Sequence, residues 1–252
     1  MQIKIQHTAL GYCCAVLLLL FTVIGQAAER LQVQVTPKNA ALQKNIEAYL
    51  HLFNEGDGQS LSNIKRRVQQ QVREAGEALG YYHSKITVQI SDEAEPVLHV
   101  TVESGEPVRL RSVNIQVIGE AADLPAFALP DDKRLVVGAA LDHSAYDDMK
   151  SLLQNQALRF GFFAAKFTQN ELIIDPQIGA ADIHLLFDSG PRYRLGTVTF
   201  SEHSKIEPAV LQRLLPFTPG TPYSSALVAK FSHNLQSIGY FQQVRVDAVG
   251  EA

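Results

Sequence analysis

The chain has 252 residues, 46% of them hydrophobic and 19% charged, a globular balance that excludes a disordered or collagen-like chain. Its formal net charge is -4, so there is no basic field for a nucleic acid. Tyr and Phe are not interleaved with Arg clusters, as a stacking platform for single strands requires.

Residues 1–27 read as a secretory signal peptide. Lys4 is the one formal charge in that stretch; the apolar run "ALGYCCAVLLLLFTVIG" follows, then Gly25, Ala27 and Ala28. This is the order of n-region, h-region and small-residue cleavage site, with cleavage after Ala27. The run is shorter than the roughly 20 residues a spanning helix needs. Cys13 and Cys14 both lie inside it, so residues 28–252 hold no cysteine. That leaves the mature chain without a disulfide, a thiol nucleophile or a Cys-ligated metal. Loss of Lys4 takes the net charge to -5.

The first strand is predicted at Leu31, Val33 and Val35, alternating with Gln32 and Gln34. Asn39 is placed to cap a helix running to about Phe53. "NEGDGQS" reads as a loop. A second helix carries Leu61, Ile64, Val68, Val72, Ala75 and Leu79 at steps of three and four, and ends at Gly80. Ile86, Val88 and Ile90 alternate in a second strand, "DEAEP" turns, and Leu98, Val100 and Val102 make a third. The order is β-α-α-β-β.

That order then recurs. Val113, Ile115 and Val117 open the second round, and Pro125 and Pro130 weaken its first helix. Tyr146, Met149, Leu153, Ala157 and Phe160 line the second helix, capped by Asp142 or Ser144 and ended by Gly161. A strand through Phe167 to about Ile174 and a strand "ADIHLLFD" complete it. In the third round Val198 and Phe200 open, and a short helix spans Glu207 to Leu215. A second helix carries Leu227, Phe231, Leu235 and Ile238 and ends at Gly239. "QVRVDAV" supplies one more strand, and the round lacks its last.

Two phrases mark the period. Gly-aromatic-aromatic occurs at Gly80, Gly161 and Gly239, which stand 81 and 78 apart. "VESGEPVRLRSVNI" and "FDSGPRYRLGTVTF" place Gly105 and Gly190 85 apart, each with Arg-Leu four and five residues on. Three tandem modules of about 80 residues follow: 28–105, 106–190 and 191–252, the last incomplete. Each Gly is expected to be the left-handed residue just past a helix, with the next aromatic folded back on the last turn. The short Pro-bearing "SGEP" and "SGPR" junctions predict semi-rigid coupling.

With "RLQVQV", "EALGYYHSKI", "LRFGFFAAKFTQNEL", "DSGPRYRLGTVTF", "LLPFTPGTPY" and "LQSIGYF", the whole mature chain resembles the POTRA modules of outer-membrane Omp85 proteins. Within that family it resembles the translocation and assembly branch, which carries three such modules before a β-barrel; two are expected in two-partner secretion transporters. The implied fold class is α+β, with no membrane barrel in this chain. The implied location is the periplasmic face of the outer membrane. The implied partners are an inner-membrane-anchored subunit and unfolded outer-membrane protein or autotransporter clients, with the outer membrane reached through a barrel absent here. Another Omp85 or two-partner secretion transporter, or a free periplasmic scaffold, remains the alternative.

An exposed sheet edge can accept an extended segment by β-augmentation. The resemblance places the second strand of each module at the edge. The candidate contact residues are therefore Lys85, Ile86, Thr87 and Val88, then Phe163, Ala165 and Phe167, and then Val244 and Val246. Proline at Thr87 or Ala165 is the expected way to weaken binding. Lys85, Lys166 and Arg245 are also the residue type that blunts an edge against pairing.

No enzyme signature competes. His7, His51, His83, His99, His143, His184, His203 and His233 are scattered without metal-ligand spacing. There is no phosphate-loop glycine pattern and no nucleophile elbow. The Asp pairs in "PDDKR" and "YDDMK" read as caps or solvated turns. No cofactor, metal or catalytic residue is expected.

Overall fold

The computed structural model describes residues 31–51, 61–91, 97–200 and 206–239. The signal stretch, the "NEGDGQS" loop, most of "DEAEP" and the strand "QVRVDAV" lie outside the described residues.

The first unit is built from β1 (Leu31–Thr36), α1 (Ala40–His51), α2 (Leu61–Glu77), β2 (Lys85–Ile90) and β3 (Leu98–Glu103). Its sheet has the order β1-β3-β2, with β1 parallel and β2 antiparallel to the central β3. Asn39 caps α1, its Oδ1 accepting the Leu42 amide at 3.0 Å. The two helices cover one face of the sheet. Leu42, Ile46 and Leu50 from α1 and Val68, Val72 and Ala75 from α2 meet Val35, Val88, Val100 and Val102 in one buried core. The period of 3.6 in the helices and of 2 in the strands selects these residues, and each buried Val or Leu stabilises the unit by about 1.5–3 kcal/mol.

The second unit repeats the plan with β4 (Arg109–Ile118), α3 (His143–Phe160), β5 (Lys166–Asp175) and β6 (Ala180–Asp188), in the order β4-β6-β5. Again the outer strands are parallel (β4) and antiparallel (β5) to the central one. The first helix is replaced by two short 3-10 turns, Pro125–Phe127 and Lys133–Leu135. Proline has no N–H to give and a fixed φ, so "LPAFALP" cannot propagate a helix. Phe127 takes over the packing, buried edge-on against Phe162 with ring centroids 5.4 Å apart.

In the third region, α4 (Pro208–Gln212) and α5 (Ser225–Ser237) enclose a small core of Leu211, Phe231 and Leu235. The strand expected at Val198 and Phe200 forms no ladder among the described residues; both side chains pack on this core. The segment expected beside it, "QVRVDAV", lies outside the described residues.

Candidate interaction edges and module joints

Both recurring phrases meet in space. Gly80 and Gly161 have φ of 84° and 83°, the left-handed conformation expected past a helix. The Gly161 amide donates to the Ala157 carbonyl. The first aromatic folds back on its own unit, as expected: Tyr81 packs on the first core with its hydroxyl accepting from Asn39 Nδ2 at 2.7 Å, and Phe162 is buried. The second aromatic does something else. Tyr82 packs on the second unit's core and its hydroxyl lies 2.9 Å from His143 Nε2. Phe163 stacks edge-on against Tyr193 and Tyr223, at 5.3 and 5.0 Å.

The Arg-Leu phrase supplies the other half of each joint. The Val108 amide donates to the Gly80 carbonyl at 2.9 Å, and the Tyr193 amide to the Gly161 carbonyl at 2.8 Å. From there the two joints match bond for bond. Leu141 N–H donates to Val108 and Tyr223 N–H to Tyr193. Leu110 exchanges bonds with Gly138 and Ala139, and Leu195 with Gly220 and Thr221. Arg109 and Arg194 each donate Nη1 to the Gly138 or Gly220 carbonyl at 2.9 Å. Each joint is thus a hook of two short backbone segments, 108–110 with 138–141 and 193–195 with 220–223, seated on the glycine that ends the preceding helix. A Cβ on Gly80 would stand 3.0 Å from the Leu141 carbonyl, and one on Gly161 2.6 Å from Tyr223 Cβ. The glycine therefore serves two needs at once, its φ and its missing side chain.

The joints differ in their side-chain fastenings. At the first, His83 Nε2 lies 2.7 Å from the Pro176 carbonyl, beside the Tyr82–His143 contact. Burial, and secondarily Glu77, pushes the Tyr82 hydroxyl up from its ordinary value. At the second, Arg192 donates Nε to the Phe160 carbonyl at 2.9 Å and Nη2 to the Tyr223 carbonyl at 3.0 Å. Its guanidinium also lies over the Phe160 and Phe162 rings. It caps the negative end of α3 and ties that end to the next unit.

The edges are the second candidate surface. β2 and β5 each have one partner strand among the described residues, so each is an outer strand. On β2, Ile86 packs inward, Val88 is fully buried, and Lys85 and Thr87 are exposed, with Lys85 paired to Glu103 at 3.6 Å. The Ser91 amide donates to the Val97 carbonyl, which fixes the alternation of the ladder. Thr87 faces Thr101 in a hydrogen-bonded pair, and the amides of Ile86 and Val88 point to the free edge. Proline at Thr87 would therefore break the ladder itself, which corrects the expectation for that position.

On the second unit the edge strand begins at Lys166. Phe163 and Ala165 precede it, in the turn at the joint, so neither is an edge residue, and proline at Ala165 does not address the edge. Phe167 is on β5, half-buried against Phe187 at 4.9 Å. Val244 and Val246 lie outside the described residues.

The charged groups serve the scaffold. Arg134 draws "PDDKR" and "YDDMK" together, donating to Asp132 and to Asp148 at 2.7 and 3.1 Å, which holds the Asp132 carboxyl below its usual range. Asp142, the N-cap of α3, accepts the Ser144 amide at 2.9 Å. A register shift in β4 lets both Arg111 and Ser112 reach Asp182 on the central strand. Their hydrogen bonds, Arg111 first, bring the Asp182 pKa down to about 2. Among the described residues no three His, Cys, Asp or Glu are grouped to hold a metal, and no helix is long and apolar enough to cross a membrane.

Sequence reasoning found both phrases of the joint but not their meeting. A third phrase was open to it: "GAAL" from Gly138 and "GTPY" from Gly220 stand 82 apart, a separation close to those of the other two.

Residues 32–104 match the family model described as POTRA domain, TamA domain 1. Residues 193–251 match the POTRA model described as surface antigen variable number repeat. Among solved structures, POTRA3-5 of BamA from Haemophilus influenzae is 19% identical, covering 87% of this chain and 90% of that one, with a TM-score of 0.43. POTRA1-3 of the periplasmic domain of Omp85 from Anabaena is 15% identical, with coverages of 85% and 86% and a TM-score of 0.32. The N-terminal domain of Omp85 from Thermosynechococcus elongatus is 16% identical, with coverages of 86% and 88% and a TM-score of 0.29.

Proposed function

The chain belongs to the POTRA family, and from that premise we propose that it is the periplasmic arm of a TamA-like outer-membrane assembly factor. POTRA modules are periplasmic, protein-binding parts of Omp85 proteins. In this reading residues 1–27 direct export and are removed, and modules 28–105, 106–190 and 191–252 stand at the inner face of the outer membrane. They dock a TamB-like inner-membrane-anchored partner and receive unfolded outer-membrane protein or autotransporter segments. The role is binding, without a catalytic residue or cofactor. The match of residues 32–104 to the first TamA module favours this branch. The match of residues 193–251 to a general POTRA model keeps another Omp85 transporter as the second reading.

The observation that carries the proposal is the pair of outer antiparallel strands, β2 and β5. On β2, the amides at Ile86 and Val88 can pair with an incoming strand through main-chain hydrogen bonds, which give affinity with little sequence preference. That suits clients of many sequences.

The test uses residues 28–252 and a labelled peptide of alternating apolar and polar residues, copied from a membrane β-strand, followed by fluorescence anisotropy. Ile86→Pro removes one outward amide near the start of β2, where proline is tolerated. Ile86→Ala removes the same side chain and keeps the amide. The expected result is near wild-type binding for Ile86→Ala and roughly tenfold weaker binding for Ile86→Pro, the loss of about one hydrogen bond. Equal binding by both variants, or none by the wild type, would overturn the edge reading.

A further inference from the structure

The outer strands are guarded unequally. β2 carries Lys85, and β5 carries Lys166 and Glu171 on a strand whose register shifts. β4 carries Arg109, Arg111 and a register shift, and its start is already paired with residues 138–141. Charges, bulges and covering segments are the devices that keep one sheet edge from joining another. β1, Leu31–Thr36, has none of them: no charge, no proline, an unshifted register with β3 and no second partner among the described residues.

The ladder phase says which groups β1 offers. The Ser104 amide donates to the Thr36 carbonyl at 2.9 Å, and β1 and β3 are parallel, so Thr36, Gln34 and Gln32 turn both main-chain groups to β3. Leu31, Val33 and Val35 turn theirs to the free side, where no described residue bonds to them. The side chains of Val33 and Val35 pack on the helix-covered core, while Gln32 and Gln34 are exposed on the open face. The pattern of "LQVQV", apolar and amide in turn, reads the same in either direction.

We propose that β1 is a self-association edge, and that its occupant is β1 of a second copy of this chain, antiparallel about an axis at Val33. The axis sets Val33 opposite its own copy, Leu31 opposite Val35 and Gln32 opposite Gln34. Leu31, Val33 and Val35 hold the outward main-chain groups, so their pairs are the hydrogen-bonded ones. Gln32 and Gln34 fall in the closer, non-hydrogen-bonded pairs, where side-chain amides reach each other. No charge within the strand faces a like charge. A partner of another sequence would have to supply this match, whereas the strand supplies it to itself. Two three-stranded sheets become one, ordered β2-β3-β1-β1-β3-β2, with both β2 edges still open. Pairing through β1 therefore does not draw on the client edge, and its test is separate from that one.

Dipolar EPR on residues 28–252 tests this. That stretch holds no cysteine, so Gln89→Cys, at an exposed position of β2, carries a single spin label. In the joined sheet the two labels stand five strand spacings apart, about 24 Å. That distance is expected, with a population that rises with protein concentration. Val33→Pro removes an outward amide from each copy and leaves the bonds to β3, while Val33→Ala trims the same side chain and keeps the amide. Proline is expected to weaken pairing at least tenfold relative to alanine. Gln32→Lys with Gln34→Lys sets lysine against lysine at exposed positions, and is expected to abolish pairing while the chain melts with the wild type. Gln32→Lys with Gln34→Glu sets lysine against glutamate in the same register, and is expected to restore it. A label distance of about 14 Å, three spacings, would place β1 on β2 of the next copy and overturn the proposal. So would the absence of any intermolecular distance up to about 1 mM chain, equal pairing by the proline and alanine variants, a 24 Å distance that survives lysine at both positions, or no rescue by lysine with glutamate.

Discussion

The two joints share a backbone and divide over side chains. Their hydrogen bonds through Gly80 and Gly161, and through Arg109 and Arg194, correspond pair by pair. Around that frame the first joint is closed by Tyr82, His143 and His83, and the second by an aromatic group and Arg192. Arg192 stands 85 residues after Pro107, as Gly190 stands 85 after Gly105. Proline has no donor to offer, so the first joint has no counterpart of the Arg192 bridge. The backbone fixes how modules connect; the side chains set how firmly each connection is held.

The largest effect is expected from filling the glycines. Gly80→Ala and Gly161→Ala each add the left-handed penalty of about 1 kcal/mol and an overpacking cost of about 1–3 kcal/mol. Thermal unfolding of residues 28–252 measures the sum. The two should then part company. At Gly161 the obstacle is the Tyr223 side chain from its Cβ outward, so Tyr223→Gly, which removes that Cβ with the ring, should recover the overpacking share in a double-mutant cycle. At Gly80 the nearest obstacles are the Leu141 and Val108 carbonyls, and Leu141→Gly should recover little. Equal rescue at both joints would show that the obstacle at Gly80 is not the backbone.

Arg192→Ala should come next, at about 1–2 kcal/mol for two charge-assisted bonds on a half-buried side chain. Residues 28–252 contain no cysteine, so spin labels can be placed cleanly. A distance distribution between labels at Thr168 and Lys230 should broaden, and one between Gln70 and Glu171 across the first joint should not. Arg192→Lys should fail to restore it, because an ammonium does not span two carbonyls as a planar fork does. Tyr82→Phe is the milder counterpart at the first joint. Losing one bond to His143 should cost about 0.5–1.5 kcal/mol and broaden only the Gln70–Glu171 distribution.

What the sequence made legible follows from its periodicities. The strands of the first two units, both long helices of the first unit, the Asn39 cap and the proline-broken first helix of the second unit were readable because local patterns determine them. The double use of Gly80 and Gly161 was not. A glycine past a helix is already explained by its φ, so nothing local calls for a second cause. The hook depends on Val108 meeting Gly80 and Leu141 meeting Val108, contacts between residues 28 and 33 apart. Edge geometry was lost for a related reason. Which of Ile86 and Thr87 turns its amide outward depends on ladder phase, which alternation of side chains does not reveal. Only the resemblance puts Phe163 and Ala165 in the edge strand; Ala164, Ala165 and Lys166 are weak strand formers, and β5 begins only at Lys166.

The smallest effect at neutral pH separates the two sheets rather than the joints. Asp182 sits on the central strand of the second sheet, with Arg111 and Ser112 on its carboxylate; no carboxylate is buried in the described part of the first. Its pKa is about 2 in the folded chain, against about 3.9 when unfolded. A carboxylate depressed on folding contributes stability that is fully present above the unfolded pKa and is lost as pH falls through the folded one. Between about pH 4 and pH 2 the second unit should therefore lose hydrogen-exchange protection along β4 and β6 more steeply than the first loses it along β3. Asp182→Asn cannot titrate, so that variant should start lower and show a flatter slope in the same window. A wild-type second unit no more acid-sensitive than the first would mean that the Arg111–Asp182 pair adds nothing to the stability of this sheet, and that its role is to fix the bulge in β4.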